Sequence, residues 1–142
     1  MSRLLKELAG KILVIDDEPD IVLTVSMFLE SKGFEVESAS GGQEGIDTFH
    51  RALASGTPFD VVITDYRLPV KHGDEVVNEI LALAPNQAII LMTAYNIETP
   101  SLQTLPKEKV QTVQKPFEPD NFVELVQAAC AKNGILTFGL KA

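Results

Sequence analysis

The sequence predicts an α/β protein in which five parallel strands form one doubly wound sheet with helices on both faces. Five short strand-like segments alternate with segments that have helical spacing, which is the pattern of a covered parallel sheet. The second strand-like segment alternates apolar and polar residues, as an edge strand does. Since crossover connections are right-handed, few topologies remain, and the strand order 2-1-3-4-5 fits best.

Each predicted strand is a short run with a defined end. The run at Val61–Asp65 is apolar and β-branched, lies between Pro58 and Pro69, and ends on an acid, so we expect a strand buried on both faces. Phe34 and Val36 alternate with Glu35 and Glu37 in the edge strand. The full set of predicted strands is Lys11–Ile15, residues 34–39, Val61–Asp65, residues 88–92 and Val110–Gln114.

The helices are predicted from their first residues and their apolar spacing. Pro19 suits the first turn of a helix that Gly33 ends, and its apolar stripe is formed by Ile21, Val22, Val25, Phe28 and Leu29. Two further helices begin near Gly42 and Gly73, the second closed by Pro85. Between residues 96 and 109, Pro100 and Pro106 leave room for a short helical piece only. The last helix covers residues 118–133.

Length and composition predict one globular domain. The 142 residues divide into an N-terminal extension (1–10), the domain itself (11–133) and a C-terminal tail (134–142). The net charge of −8 argues against nucleic acid or an anionic membrane as a direct partner, and no segment resembles a membrane span or a signal peptide. Cys130 is the single cysteine, so we expect a cytoplasmic protein without an internal disulfide, in which Cys130 acts as a small apolar residue.

Four of the five predicted strands end on a polar residue or are directly followed by one. Because the C-terminal ends of parallel strands share one edge of the sheet, these side chains should meet there: Asp16, Asp17, Asp65, Thr93 and Lys115. Three converging carboxylates repel one another unless a cation lies among them, and oxygen ligands with room for water favour Mg²⁺. Asp65 could then attack phosphorus, while Lys115 and Thr93 contact the phosphoryl oxygens.

Each of these signals has an ordinary structural explanation when it is taken alone. An Asp after a strand is usually a turn residue, and an Asp-Asp pair before a helix is usually a cap. His50 is expected on a helix surface and His72 in the loop after Asp65, without a base-orienting partner. The joint placement of the acids, Thr93 and Lys115 at one rim is what favours a functional site.

The motifs at that rim resemble those of the receiver domain of two-component response regulators. They are Asp16-Asp17, Asp65 with Pro69 and Gly73 downstream, Thr93-Ala94 and Lys115-Pro116-Phe117. The resemblance covers roughly residues 11–133 and implies a flavodoxin-like fold that, beyond its own aspartyl phosphorylation and dephosphorylation, has no enzymatic activity. It also implies that Asp65 accepts a phosphoryl group from a histidine kinase, a phosphotransfer protein or a small phosphodonor.

The same resemblance implies the remaining roles. Asp16, Asp17, Asp65 and the backbone carbonyl of Arg67 would hold Mg²⁺. Thr93 and Lys115 would sense the phosphoryl group and bias a docking face made by the fourth helix, fifth strand and fifth helix. A downstream protein partner or an effector domain outside these 142 residues would read that face, and a homodimer is possible.

Two features depart from the family pattern. Thr112 occupies the position in the last strand where the family carries a switching aromatic residue, and the region of the fourth helix holds two prolines. We therefore expect retained phosphorylation chemistry with an unusual output face. We also hypothesise that Arg67 and Tyr95 flank the phosphoryl group and slow the attack of water, so that an Arg67→Ala, Tyr95→Ala double variant would lose the phosphoryl group faster.

Three other classes of protein share part of this pattern. A phosphatase of the haloacid-dehalogenase type needs a second Asp two residues after the nucleophile, where this chain has Arg67. A flavodoxin-like cofactor binder needs a phosphate-binding loop after the first strand, where Asp16-Asp17-Glu18 would repel phosphate. A phosphorylation-independent adaptor of the same fold is the alternative that the altered output face keeps open.

Overall fold

A computed structural model describes residues 9–94 and 100–132 of the chain. The predicted tail, nearly all of the predicted N-terminal extension, Tyr95 and Asn133 lie outside the described residues. Within them, no helix is both long and apolar enough to cross a membrane.

The sheet has five parallel strands in the order β2-β1-β3-β4-β5, which confirms the predicted fold class and topology. The strands are β1 (Lys11–Ile15), β2 (Glu35–Ala39), β3 (Val61–Asp65), β4 (Ala88–Thr93) and β5 (Val110–Gln114). Every residue of β3 and β4 is buried, whereas the edge strands β2 and β5 each have only one buried residue. The continuous apolar runs of β3 and β4 thus lie in the centre of the sheet, because helices cover both faces of a central strand.

Helices connect the strands in chain order. They are α1 (Pro19–Ser31), α2 (Gly42–Ala54), α3 (Gly73–Leu83), the short α4 (Pro100–Gln103) and α5 (Pro119–Lys132). Pro19 lies at the first turn of α1, where the missing N–H costs no helical hydrogen bond. The prediction that two prolines restrict the fourth helix to a short piece is confirmed, since α4 has four residues.

The core consists of two apolar layers, one on each face of the sheet. On one face, α2 and α3 contribute Phe49, Val76 and Ile80. On the other face, α1 and α5 contribute Leu29, Phe122 and Val126. Cys130 is fully buried in this second layer, as predicted for a small apolar residue, and burial raises the pKa of its thiol to about 12.

One part of the predicted core was wrong. Phe28 was expected in the apolar stripe of α1, but it is 38% exposed, and only Val25 and Leu29 of that helix are buried. The neighbouring Leu23 and Met27 are exposed as well. The apolar residues of α1 extend around more of the helix than the sheet can cover, so apolar spacing alone overstated the buried face.

Candidate functional site

The predicted polar residues meet at the C-terminal edge of the sheet. Asp65 is the last residue of β3 and Thr93 the last of β4, while Asp16 and Lys115 directly follow β1 and β5. The register aligns these ends, since Asp65 lies opposite Met92 and Thr93 opposite Gln114. The Lys115 backbone N–H continues the ladder by donating to the Thr93 carbonyl at 2.7 Å.

Three carboxylates form the centre of the site. Oxygens of Asp16, Asp17 and Asp65 all lie within 4.8 Å of one another. Asp16 and Asp65 are 1% and 5% exposed, while Asp17 is exposed at the rim. The Asp16 oxygen Oδ1 also accepts the backbone N–H of Glu18 at 2.9 Å, which fixes the turn into α1. This all-oxygen set, open on one side to water, matches the ligands that a hard divalent cation prefers.

Lys115 bridges two of the carboxylates. Its Nζ lies 3.2 Å from Asp16 Oδ2 and 3.3 Å from Asp65 Oδ1, and its side chain is largely buried. A weaker contact of 3.6 Å joins Nζ to Glu18 Oε1 at the exposed side. The side chain of Lys115 thus reaches across the ends of β1 and β3 from the far edge strand, which places one positive charge directly beside Asp65.

The surroundings shift the pKa values of Asp65, Asp16 and Lys115. Burial, together with the charge of Asp16, raises the pKa of Asp65 to about 6 although Lys115 opposes the shift. Burial also raises the pKa of Asp16. Burial acts to lower the pKa of Lys115, but the charges of Asp16 and Asp65 outweigh it and raise that pKa. Lys115 therefore stays protonated, and the carboxylates retain more negative charge than one lysine neutralises.

The structure brings together Asp16, Asp17, Asp65 and Lys115, with Thr93 buried at the adjacent strand end. Arg67 lies in the loop after β3 with an exposed side chain. Thr112 is exposed on β5, opposite Leu91 of β4.

Glu18 was predicted only as part of the acidic loop after the first strand, and its contact with Lys115 was not predicted. Its position directly after Asp16-Asp17 could have indicated a place in the site, but an acid before a helix is also common because it interacts favourably with the helix dipole.

The chain belongs to the response regulator receiver domain family, whose model matches residues 12–127. It is 30% identical over 128 residues to the uncharacterized transcriptional regulatory protein YkoG of Bacillus subtilis, covering 90% of this chain and 54% of that protein. It is 31% identical over 119 residues to the response regulator protein PilR of Pseudomonas aeruginosa, covering 84% of this chain and 26% of that protein. The chain thus spans about half or less of these curated relatives.

Solved structures show the same fold. A response regulator receiver domain protein from Clostridium thermocellum matches with a TM-score of 0.76 and 31% identity, covering 89% of this chain and 98% of that one. The response regulator protein TrrA from Thermotoga maritima, solved in complex with Mg²⁺-BeF, matches with a TM-score of 0.70 and 32% identity, covering 84% and 97%. This chain is accordingly a receiver domain, a regulatory signalling domain of two-component systems.

Proposed function

We propose that the chain is a phosphoacceptor domain in which Asp65 receives a phosphoryl group from the phosphohistidine of a sensor histidine kinase or a phosphotransfer protein. The observation that carries this proposal is the position of Asp65, held 3.3 Å from Lys115 Nζ and within 4.8 Å of two further carboxylates. A carboxylate placed beside a fixed positive charge can take on a phosphoryl group whose own negative charge would otherwise repel it.

The transfer step forms one bond and breaks one. A carboxylate oxygen of Asp65 attacks phosphorus, the P–N bond to the donor imidazole breaks, and its electron pair returns to the nitrogen. The product is an acyl phosphate on Asp65. Lys115 would shift from the carboxylates to a phosphoryl oxygen, and the Thr93 hydroxyl would donate to another. With the pKa of Asp65 near 6, its attacking oxygen is mostly ionised at neutral pH.

The carboxylates fit Mg²⁺ as the cation of this site. Asp16, Asp17 and Asp65 offer only oxygens, and burial raises the pKa of both Asp16 and Asp65, so a bound cation would stabilise their ionised forms. The backbone carbonyl of Arg67, two residues after Asp65, is the fourth proposed protein ligand. When bound, Mg²⁺ supplies positive charge that offsets the charge of the phosphoryl oxygens.

The output of the domain is proposed to be a change in protein docking. Movement of Thr93 and Lys115 toward the phosphoryl group would bias the face made by α4, β5 and α5, which a protein partner, an effector domain or a second copy would read in the cytoplasm. Position 112 of that face is an exposed threonine, which has no ring, so a rotating aromatic side chain cannot be the reporter at this position. We propose that the reporter is instead the backbone link from Thr93 to Lys115.

The test is the intact mass of the protein after incubation with acetyl phosphate and Mg²⁺. We expect one added phosphoryl group in the wild type and in Asp60→Asn, which alters the acid at the other end of β3. None should be added in Asp65→Asn or in the presence of a chelator. If a folded wild type gains no mass with acetyl phosphate or with a phosphorylated histidine kinase, the phosphorylation-independent adaptor, consistent with the exposed Thr112, becomes the better assignment.

A further inference from the structure

The loop at residues 66–72, which joins Asp65 to α3, is closed on itself. The Tyr66 carbonyl accepts the Gly73 N–H at 2.8 Å and the Leu68 N–H at 3.2 Å. The Lys71 N–H donates to the Pro69 carbonyl at 2.7 Å. These bonds fold the loop back onto the end of β3, so its conformation directly determines where the backbone carbonyls beside Asp65 point.

Lys71 attaches this loop to two helices. Its side chain is 22% exposed, and its Nζ donates to Gln43 Oε1 of α2 at 3.0 Å and pairs with Glu79 of α3. The backbone at Lys71 is also in close contact with α2, since a Cβ on Gly42 would come within 2.9 Å of the Lys71 carbonyl oxygen. A single side chain therefore joins the loop, α2 and α3.

The residue before Lys71 has an unfavourable backbone conformation. Val70 has a φ of 67° with a fully exposed side chain, and this left-handed region is energetically unfavourable for a β-branched residue. Val70 gains no packing that offsets this cost. Such a conformation persists when neighbouring contacts hold it, and the contacts of Lys71, the next residue, do so.

We propose that Lys71 is a positioning residue for the metal site, holding the 66–72 loop so that the Arg67 backbone carbonyl faces the carboxylates. The inference rests on the proposed function, because it takes Mg²⁺ as the ligand of that site. Without the attachment of Lys71 to Gln43 and Glu79, the loop would sample other conformations, and ordering the carbonyl would cost free energy on each binding event.

Simple electrostatics predicts the opposite result, which makes the inference testable. Removal of a positive charge from the 66–72 loop would strengthen Mg²⁺ binding slightly. Loss of a positioning contact would weaken it. The sign of the change in affinity for a Lys71→Met variant therefore separates the two effects.

The experiment is calorimetric titration of Mg²⁺ into the full 142-residue chain. We expect Lys71→Met to weaken binding roughly 3- to 10-fold and Lys71→Arg, which keeps the charge and the reach, to stay within about twofold of the wild type. Gln43→Ala removes one partner of Lys71 without a change in charge and should weaken binding about twofold. Lys107→Met is the matched control, because Lys107 is exposed and precedes β5 at the opposite edge of the sheet.

Hydrogen exchange of the amides of residues 68, 71 and 73, measured in a chelator, gives a second readout that needs no metal. Exchange should be faster in Lys71→Met than in Lys107→Met. If the wild type binds Mg²⁺ but Lys71→Met binds it equally or more tightly, with unchanged exchange, the inference is wrong. If the folded wild type binds no Mg²⁺, the proposed metal site itself is wrong, and the positioning role falls with it.

Discussion

Strand β3 has a largely buried aspartate at each end, and the two are held in different ways. Asp60 directly precedes the strand, and its Oδ2 accepts the Lys11 backbone N–H at 2.7 Å, so it fixes the start of β1. Asp65 ends the strand and contacts a lysine side chain at 3.3 Å beside two other acids. Burial raises the pKa of both carboxyl groups.

The difference between the two acids lies in what surrounds them. The backbone hydrogen bond and the charge of Lys11 both counteract the shift in the pKa of Asp60, whereas the charges of Asp16 and Asp17 add to the shift at Asp65. The backbone of Asp60 is fastened too, by bonds to the Lys11 carbonyl and from the Gln87 side chain. Asp60 therefore has structural partners, whereas Asp65 lies in a site that favours a cation or a new ligand.

The largest expected effect that separates them is on phosphorylation. Asp65→Asn should lower incorporation of the phosphoryl group from acetyl phosphate by at least about 100-fold, because an amide oxygen is a far weaker nucleophile toward phosphorus. Asp60→Asn should react at close to the wild-type rate, since Asp60 lies at the other edge of the sheet. Mass spectrometry over time measures both rates. If Asp60→Asn lost as much of the phosphorylation rate as Asp65→Asn, the two aspartates would not differ in function as proposed.

The next effect is on stability and has opposite signs at the two ends. Asp60→Ala leaves the Lys11 N–H without its acceptor and should lower the free energy of unfolding by about 1–3 kcal/mol. Asp65→Asn in a chelator at pH 7.5 should raise it by on the order of 1–3 kcal/mol, because a buried charge is removed. Urea unfolding measures both changes. If Asp65→Asn is less stable than the wild type, the ion pair between Lys115 and Asp65 stabilises the fold by more than the burial of the Asp65 charge destabilises it.

The stabilisation by Asp65→Asn should depend on pH. The folded-state pKa of Asp65 is about 6, above its ordinary value of 3.8, so the folded wild type binds the proton more tightly than the unfolded chain. The wild type therefore loses stability relative to the variant as the pH rises from about 4 through 6. The difference between the two proteins should be near zero at pH 4 and reach its full size above pH 7. A constant difference across this range would exclude ionisation of Asp65 as its cause.

The smallest expected effect concerns the exposed acid at the site. Glu18 Oε1 lies 3.6 Å from Lys115 Nζ, but its side chain is mostly in water. Glu18→Gln should therefore change the free energy of unfolding by less than about 0.5 kcal/mol. The same urea titration in a chelator tests this value. If Glu18→Gln lowered the free energy of unfolding as much as Asp60→Ala does, the exposed contact between Glu18 and Lys115 would stabilise the fold after all.

The strands and the members of the site were predictable because both depend on local patterns. Buried strands appear as continuous apolar runs, and parallel pairing then carries Asp16, Asp65, Thr93 and Lys115 to one edge without further information. The resemblance to the family suggested roles for these residues that spacing alone left open, and those roles stay predictions. The predicted bounds of β1, β3 and β5 agree with the structure to the residue.

Features that depend on three-dimensional packing were not predictable. The exposure of Phe28 depends on how far α5 and the sheet extend over α1, which helical spacing does not encode. The contacts of Lys71 with Gln43 and Glu79 join three segments, and no local signal marks one exposed-looking lysine among twelve basic residues. The contact of Lys115 with Asp16, in addition to Asp65, likewise could not be predicted, because it depends on distances in the folded chain.

The contact between Lys115 and Asp16 joins residues 99 positions apart in the chain. The residues of β1, β2, β3 and β4 are therefore all synthesised before Lys115, which contacts two of the three site carboxylates in the folded chain. Between the addition of Asp65 and that of Lys115, the nascent chain holds all three acids but not the lysine that contacts Asp16 and Asp65 in the folded protein. Under the proposed function, we therefore expect Asp65 to accept a phosphoryl group only after β5, and with it Lys115, has docked at the edge of the sheet.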